Sequence, residues 1–110
     1  MRFLFLSLFF LLPMLTWSQV IVPQKLNIIS NEANSQERKF IFKYEIKFAG
    51  MTEIKLMMVD EKGELQVVRQ DQRVDESGPH SGNFKNLKTG KYLLIIESKK
   101  AVKEISFSID

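Results

Sequence analysis

The 110-residue chain contains no cysteine, a single histidine and a single tryptophan. Without cysteine it can form no disulfide, thiolate zinc site, cysteine nucleophile or acylated lipobox anchor. One histidine argues against a histidine-based metal site and against a Ser-His-Asp triad. The length allows one domain and excludes large folds such as a TIM barrel or a kinase. A formal net charge of +3, from 16 Lys+Arg and 13 Asp+Glu, is too mild to indicate a nucleic-acid partner.

Residues 1–18 carry the three-part pattern of a secretory signal peptide. Arg2 supplies a positive start, residues 3–15 are almost unbroken apolar, and Thr16 and Ser18 place small side chains before a cut between Ser18 and Gln19. Because the apolar run is shorter than the roughly 20 residues that span hydrocarbon, we favour a cleaved signal over an uncleaved anchor or a buried core segment. The sequence thus predicts a signal peptide at 1–18 and one domain at 19–110. We expect the processed protein in the periplasm, at the cell surface or in the medium, with no membrane span.

Residues 19–110 favour strands over helices, because they contain 10 Ile and 7 Val against 6 Leu and 3 Ala. Apolar and polar residues alternate almost without interruption from Lys39 to Phe48, which predicts a half-buried strand. Further strands are predicted at 25–30, at 53–59, at 65–70 with Leu65 and Val67 facing inward, at 91–97 with both faces covered, and at 102–110. Residues 31–38 and 71–83 are predicted loops, and Gly63 is expected to close a hairpin. The spacing predicts an all-β fold, a single antiparallel immunoglobulin- or fibronectin-like β-sandwich of about six or seven strands.

The C-terminal half carries a recognisable motif, Leu87-x-x-Gly90-x-Tyr92 followed by the apolar residues 93–96. Together with the hairpin around Gly63, it resembles the L-x-x-G-x-Y-x-x-x-I signature of type IX secretion C-terminal sorting domains and of related small exported immunoglobulin-like domains of no assigned function. We expect Gly90 and Tyr92 to serve the fold, with Gly90 in a turn and the Tyr92 ring in the core. The Asn-Pro element common in those tails is missing, since Pro23 is followed by Gln24. We therefore expect a stand-alone relative, with a sorting role as the alternative.

Polar side chains of the predicted 71–83 loop offer one candidate site: Asp75, Glu76 and His80, with Asp71 nearby. Oxygen-rich loops can hold Ca²⁺, but no D-x-D-x-D-G spacing is present, so we favour a solvated loop without a bound metal or other cofactor. His80 is expected to be an exposed loop residue rather than a general base.

A row of lysines, Lys39, Lys43 and Lys47, lies on the polar side of the best strand. This row could meet an acidic partner, a glycan or a lipopolysaccharide phosphate, although charged outer faces also keep sheets from pairing edge to edge, which is the interpretation we favour. Four apolar residues fall opposite the main apolar sets and either belong to a second covered face or form a patch for a partner: Ile41, Met57, Val68 and Leu93.

No catalytic set of residues emerges, so the sequence predicts a non-enzymatic exported module that acts by binding or by structural assembly in the cell envelope. The partner class is an envelope or extracellular protein or a glycan. The alternatives are a type IX sorting domain and, remotely, a small enzyme or metalloprotein that uses residues 71–83.

Overall fold

A computed structural model describes residues 23–110, and every structural statement below refers to that range. The predicted signal peptide, with Ser18 and Gln19, lies outside it. The predicted all-β class is confirmed: the described residues form seven antiparallel strands and no helix. The strands are β1 (Leu26–Asn34), β2 (Lys39–Ile46), β3 (Gly50–Val59), β4 (Leu65–Asp75), β5 (Gly78–Phe84), β6 (Gly90–Ser98) and β7 (Ala101–Ile109).

The strands are arranged in two sheets that enclose one core. One sheet has three strands in the order β1-β2-β5, and the other has four in the order β4-β3-β6-β7. Every pairing is antiparallel. The architecture is therefore sandwich-like, with β1, β5, β4 and β7 as the sheet edges.

No stretch between residues 23 and 110 forms a helix long and apolar enough to cross a membrane.

The core follows from the alternation that the sequence shows along β2. Phe40, Phe42, Tyr44 and Ile46 are all buried, whereas the residues between them face outward. Across the two sheets the Phe40 ring stacks on Phe107 of β7, with ring centroids 3.8 Å apart. Burial of a side chain of this size contributes about 1.5–3 kcal/mol. The other sheet supplies the remaining buried side chains of the central core: Ile54, Leu56, Leu94 and Ile96.

Two tight turns join neighbouring strands of the four-stranded sheet, and the one around Gly63 lies where a hairpin was predicted. Gly63 adopts φ +82°, and Asp60 closes the same turn by accepting hydrogen bonds from the Lys62 and Glu64 amides through Oδ1. The β6–β7 hairpin turns through Lys99 and Lys100, whose φ values of 45° and 71° are both in the left-handed region. Positive φ at both central residues is the feature of a type I′ turn, which matches the twist of the flanking strands.

The predicted loop at 31–38 is confirmed only for residues 35–38, and the one at 71–83 only for residues 76–77. β1 continues to Asn34 and β4 continues to Asp75, so residues 31–34 and 71–75 are paired strand. β5 was not predicted at all, because its seven residues include two glycines and Pro79. The strand forms nonetheless because β5 is an edge strand, where proline is tolerated. Gly82 also fits closely, since a Cβ there would lie 2.5 Å from Cζ of Phe42.

The predicted orientation of the first residues of β4 is also wrong. Leu65 and Val67 are 46% and 50% exposed and pair with Val59 and Met57 on the outer side of the sheet. β6 is a central strand as expected. Within residues 23–110 its outer residues Leu93 and Ile95 are only half-buried, so the core of this range covers one face of β6 fully.

Candidate functional site

A cluster of polar side chains lies where the chain passes from the four-stranded to the three-stranded sheet. Asp75 ends β4 and is only 6% exposed. The buried Tyr44 hydroxyl of β2 donates a hydrogen bond of 2.5 Å to Asp75 Oδ2. Because β5 begins three residues after Asp75, this bond ties the end of one sheet to the centre of the other.

Two basic groups face the same carboxylate. His80 of β5 places Nδ1 3.8 Å from Asp75 Oδ1, while its Nε2 donates to the Glu76 carbonyl oxygen. Arg73 Nε lies 4.0 Å from the same Oδ1, and its guanidinium carbon lies 5.5 Å from the centre of the Tyr44 ring. The buried carboxylate thus accepts one direct hydrogen bond, from Tyr44, and has two basic side chains nearby, His80 and Arg73.

Burial, reinforced by the hydrogen bond to Asp75, raises the pKa of Tyr44 from its ordinary value of 10.0 to about 12. The hydroxyl therefore remains a neutral donor throughout the physiological range. Arg73 Nε is buried without a hydrogen-bond partner among the described residues. Thr52 of β3 lies opposite Arg73, and its buried hydroxyl opposes part of the rise in the Tyr44 pKa. These contacts join the two sheets, so the cluster contributes to the stability of the fold.

The structure brings together only part of the predicted loop site. Asp75 and His80 meet, but Glu76 contributes its backbone carbonyl while its side chain is exposed. Asp71 lies within β4, where it is exposed and pairs with Ile54. Among residues 23–110, no group of three or more His, Asp or Glu side chains is placed to hold a metal ion.

The predicted lysine row lies on the outer face of the three-stranded sheet. Lys43 and Lys47 are exposed, and Glu45 stands between them on the same face. Lys39 forms a salt bridge of 2.7 Å with Glu37. The row is therefore a mixed-charge surface with serines beside it, since Lys43 pairs with Ser30 of β1 and Ser81 of β5.

The outer face of the four-stranded sheet is different in character. Register places Val67, Met57 and Leu93 side by side across β4, β3 and β6, with Leu65 beside Val59. Ile95 follows Leu93 on the same side of β6. We call this set the outer apolar face, and it consists of Met57, Val59, Leu65, Val67, Leu93 and Ile95.

Of the four apolar residues noted in the sequence, Met57 and Leu93 thus share a surface. Ile41 lies alone on the outer side of β2 and is 37% exposed. Val68 is the unpaired residue at the β-bulge of β4 and lies apart from the others.

The Leu87–Tyr92 motif leads into β6, and Gly90 is the first residue of that strand, paired with Ile109, and not part of a turn as expected. Tyr92 is buried, and its hydroxyl donates to the Lys88 carbonyl oxygen four residues upstream. Leu87 is buried beneath Arg38, whose Nη1 donates to the Leu87 carbonyl oxygen. Gly90 has φ +156°, and a Cβ there would lie 2.5 Å from the Met58 methyl carbon.

The chain matches no protein-family model, and a comparison with curated proteins finds no significant match.

Proposed function

We propose that this chain is an exported, non-catalytic module of immunoglobulin- or fibronectin-like topology that acts by binding a protein of the cell envelope or exterior. The strand orders β1-β2-β5 and β4-β3-β6-β7 support the topology. So does the Tyr92 hydrogen bond to a carbonyl upstream of β6, which corresponds to the tyrosine corner of such sandwiches. The signal-peptide pattern at residues 1–18 supports export.

The outer apolar face is the observation that carries the binding role. β6 is apolar on both sides over residues 92–96, a pattern typical of strands that are covered on both faces. Within the described range, only its inner face is covered, by the core. A contiguous apolar surface of this kind, bordered by Lys55 and Lys91, is typical of interaction sites.

The chemistry of this face favours a protein partner over a glycan. Sugar-binding platforms present aromatic rings to solvent, and the large exposed apolar side chains of residues 23–110 are all aliphatic. Phe40, Phe42, Tyr44 and Tyr92 are buried, and Phe84 and Phe107 pack against the core. Phe48 is half-buried, with the ammonium groups of Lys47 and Lys99 over its ring. Aliphatic side chains on a flat sheet suit the apolar surface of another protein.

Crosslinking tests this proposal. A photoreactive amino acid replaces Val67 on the outer apolar face or, as the control, Lys43 on the opposite sheet. The tagged full chain is expressed in cells that export it. We expect an adduct with a defined envelope or exterior protein, identified by mass spectrometry, from position 67 and not from position 43. Adducts from position 43 alone, or from neither position, would contradict the proposal.

Cleavage of the predicted signal peptide is measured separately, on the protein purified from the same cells. The purified protein should begin at Gln19, as measured by intact mass. A protein that retains residues 1–18 would contradict cleavage of the signal peptide. It would not decide whether the outer apolar face binds a partner, which the crosslinking experiment tests.

A sorting role in type IX secretion is the second candidate. It is supported by the motif residues at the start of β6, where Leu87 and Tyr92 are buried and Gly90 is the first residue of the strand. Residues 19–110 fused to the C-terminus of a periplasmic reporter, in a host with that secretion system, should carry the reporter to the cell surface. A reporter that stays in the periplasm would count against this candidate alone.

A further inference from the structure

β4 is an edge strand whose second half is long, regular and open to pairing with another chain. It is the longest strand, with eleven residues, and contains no glycine, proline or lysine. All of its residues except Arg73 and Asp75 are exposed. Natural edge strands are normally short, carry lysine, proline, inward-pointing charges or a bulge, or are covered. β4 has a bulge at Val68 and inward-pointing charges, but beyond the bulge it is regular and its charges alternate in sign, so a second copy can pair with it. We propose that β4 pairs antiparallel with β4 of a second copy of this chain, about a two-fold axis at Gln72, to form a continuous eight-stranded sheet.

The other three edges are less suited to such pairing. β5 has Pro79 and two glycines within seven residues. β1 is interrupted by a bulge at Ile29, and β1 and β7 lie in contact with each other. β4 is therefore the edge that is both long and open.

The regular part of β4 begins after its own bulge. The register with β3 shifts at Val68, and from Arg69 to Asp75 the ladder continues without interruption. This seven-residue segment is centred on Gln72. Along an antiparallel edge, the N–H and C=O groups of every second residue point outward, so a two-fold axis at Gln72 allows paired backbone hydrogen bonds to both copies.

Charge favours this register, because an axis at Gln72 places each of the four charged residues opposite a residue of the other sign. Arg69, Asp71, Arg73 and Asp75 alternate in sign at every second position, and all four lie on the inner side of the sheet, opposite Leu56, Ile54, Thr52 and Gly50. Antiparallel pairing about Gln72 places Asp71 opposite Arg73 of the second copy, and Arg69 opposite Asp75. An axis at Asp71 or at Arg73 would instead place like charges opposite each other, which is destabilising.

Asp71 and Arg73 form the central pairs of this contact, whereas Arg69 already donates to the Lys85 carbonyl oxygen and Asp75 is buried against Tyr44. Asp71 is exposed and takes part in no salt bridge within residues 23–110. Arg73 Nε is buried without a hydrogen-bond partner in the same range. On the outer side Val74, at 80% the most exposed of the large apolar side chains, would lie opposite Gln70 of the second copy.

Sedimentation velocity on residues 19–110 over the micromolar range tests the proposal. The wild type should show a concentration-dependent dimer. Asp71→Arg should weaken the dimer about tenfold or more, because two symmetric pairs change from attraction to repulsion. Its melting temperature at a concentration where the wild type is monomeric should stay unchanged, since Asp71 is exposed. Glu104→Arg, the same charge change on β7, should dimerise like the wild type. A wild type that is monomeric throughout, or a dimer indifferent to Asp71→Arg, would overturn the proposal.

Single cysteines then test the register, since the chain has no thiol of its own. A residue on the axis faces its own copy at a Cα separation of about 4.5–5.5 Å, within the range of a disulfide. Gln72→Cys should therefore oxidise rapidly to a covalent dimer. Val74→Cys alone should not, whereas a mixture of Val74→Cys and Gln70→Cys should give the mixed dimer. Equal oxidation of Gln72→Cys and Val74→Cys would refute pairing at this axis.

Discussion

The hydrogen bond between Tyr44 and Asp75 makes a prediction that depends on pH. Tyr44→Phe removes the single direct hydrogen bond to a carboxylate that is only 6% exposed. A hydrogen bond to a charged group contributes about 1.5–3 kcal/mol, and His80 and Arg73 remain near the carboxylate, so we expect a loss of about 2 kcal/mol near neutral pH. For a domain of this size the melting temperature should fall by about 10 °C.

The pKa of Tyr44 sets how this loss varies with pH. The folded protein holds the hydroxyl proton up to about pH 12, whereas the unfolded chain releases it near pH 10.0. Between these values the unfolded state binds fewer protons, so the stability of the wild type falls as pH rises. The contribution is fully present below pH 10 and declines by about 1.4 kcal/mol per pH unit above it. The difference of about 2 kcal/mol between the wild type and Tyr44→Phe should therefore close near pH 11.5.

Urea unfolding followed by circular dichroism, on both proteins at several pH values from 8 to about 12, measures this difference. Lysine deprotonation affects both proteins equally and cancels. Tyr92→Phe is the control for a tyrosine whose hydroxyl donates to a neutral backbone carbonyl, and its cost at neutral pH should be smaller. A difference that stays constant from pH 8 to pH 12, or a Tyr44→Phe protein as stable as the wild type, would refute the reasoning.

Three further substitutions test separate parts of the fold by urea unfolding. Thr52→Val should cost no more than about 1 kcal/mol, because the buried Thr52 hydroxyl makes at most a weak contact with the Tyr44 hydroxyl; a larger loss would show a full hydrogen bond between the two hydroxyls. Lys99→Asn combined with Lys100→Gly should stabilise by about 1 kcal/mol, since both positions have positive φ; unchanged stability would argue against the type I′ turn. Gly82→Ala should cost about 1–3 kcal/mol, because its Cβ would meet the Phe42 ring; a stable variant would show that β5 can move aside.

The fold was predictable where burial leaves a local pattern. The alternation from Lys39 to Phe48 depends on one face of β2 being buried, and it predicted that strand within two residues. β5 and the far half of β4 carry little or no such pattern, because they are edge strands held by backbone pairing to β2 and β3. Pairing with a neighbour leaves no periodic signal in an edge strand whose side chains are mostly exposed.

The polar cluster was predictable only in part, for a related reason. Asp75 and His80 are five residues apart, so their proximity could be expected from the sequence. Tyr44 lies 31 residues from Asp75 and was assigned to the core by the alternation of β2, which is correct. A buried tyrosine hydroxyl requires a partner. The identity of that partner depends on how the two sheets face each other, which no local pattern contains.

The two proposed surfaces use different parts of one strand, and the bulge at Val68 separates them. Leu65 and Val67 precede the bulge and belong to the outer apolar face, whereas Arg69–Asp75 follow it and form the self-complementary edge. Pairing about Gln72 would therefore leave both outer apolar faces uncovered and place them on the same side of one sheet. At roughly 3.3 Å per residue, the two Val67 side chains would lie about 30 Å apart along the strands. Such a dimer would present two equivalent binding surfaces, which raises the overall affinity for a partner that repeats at a matching spacing.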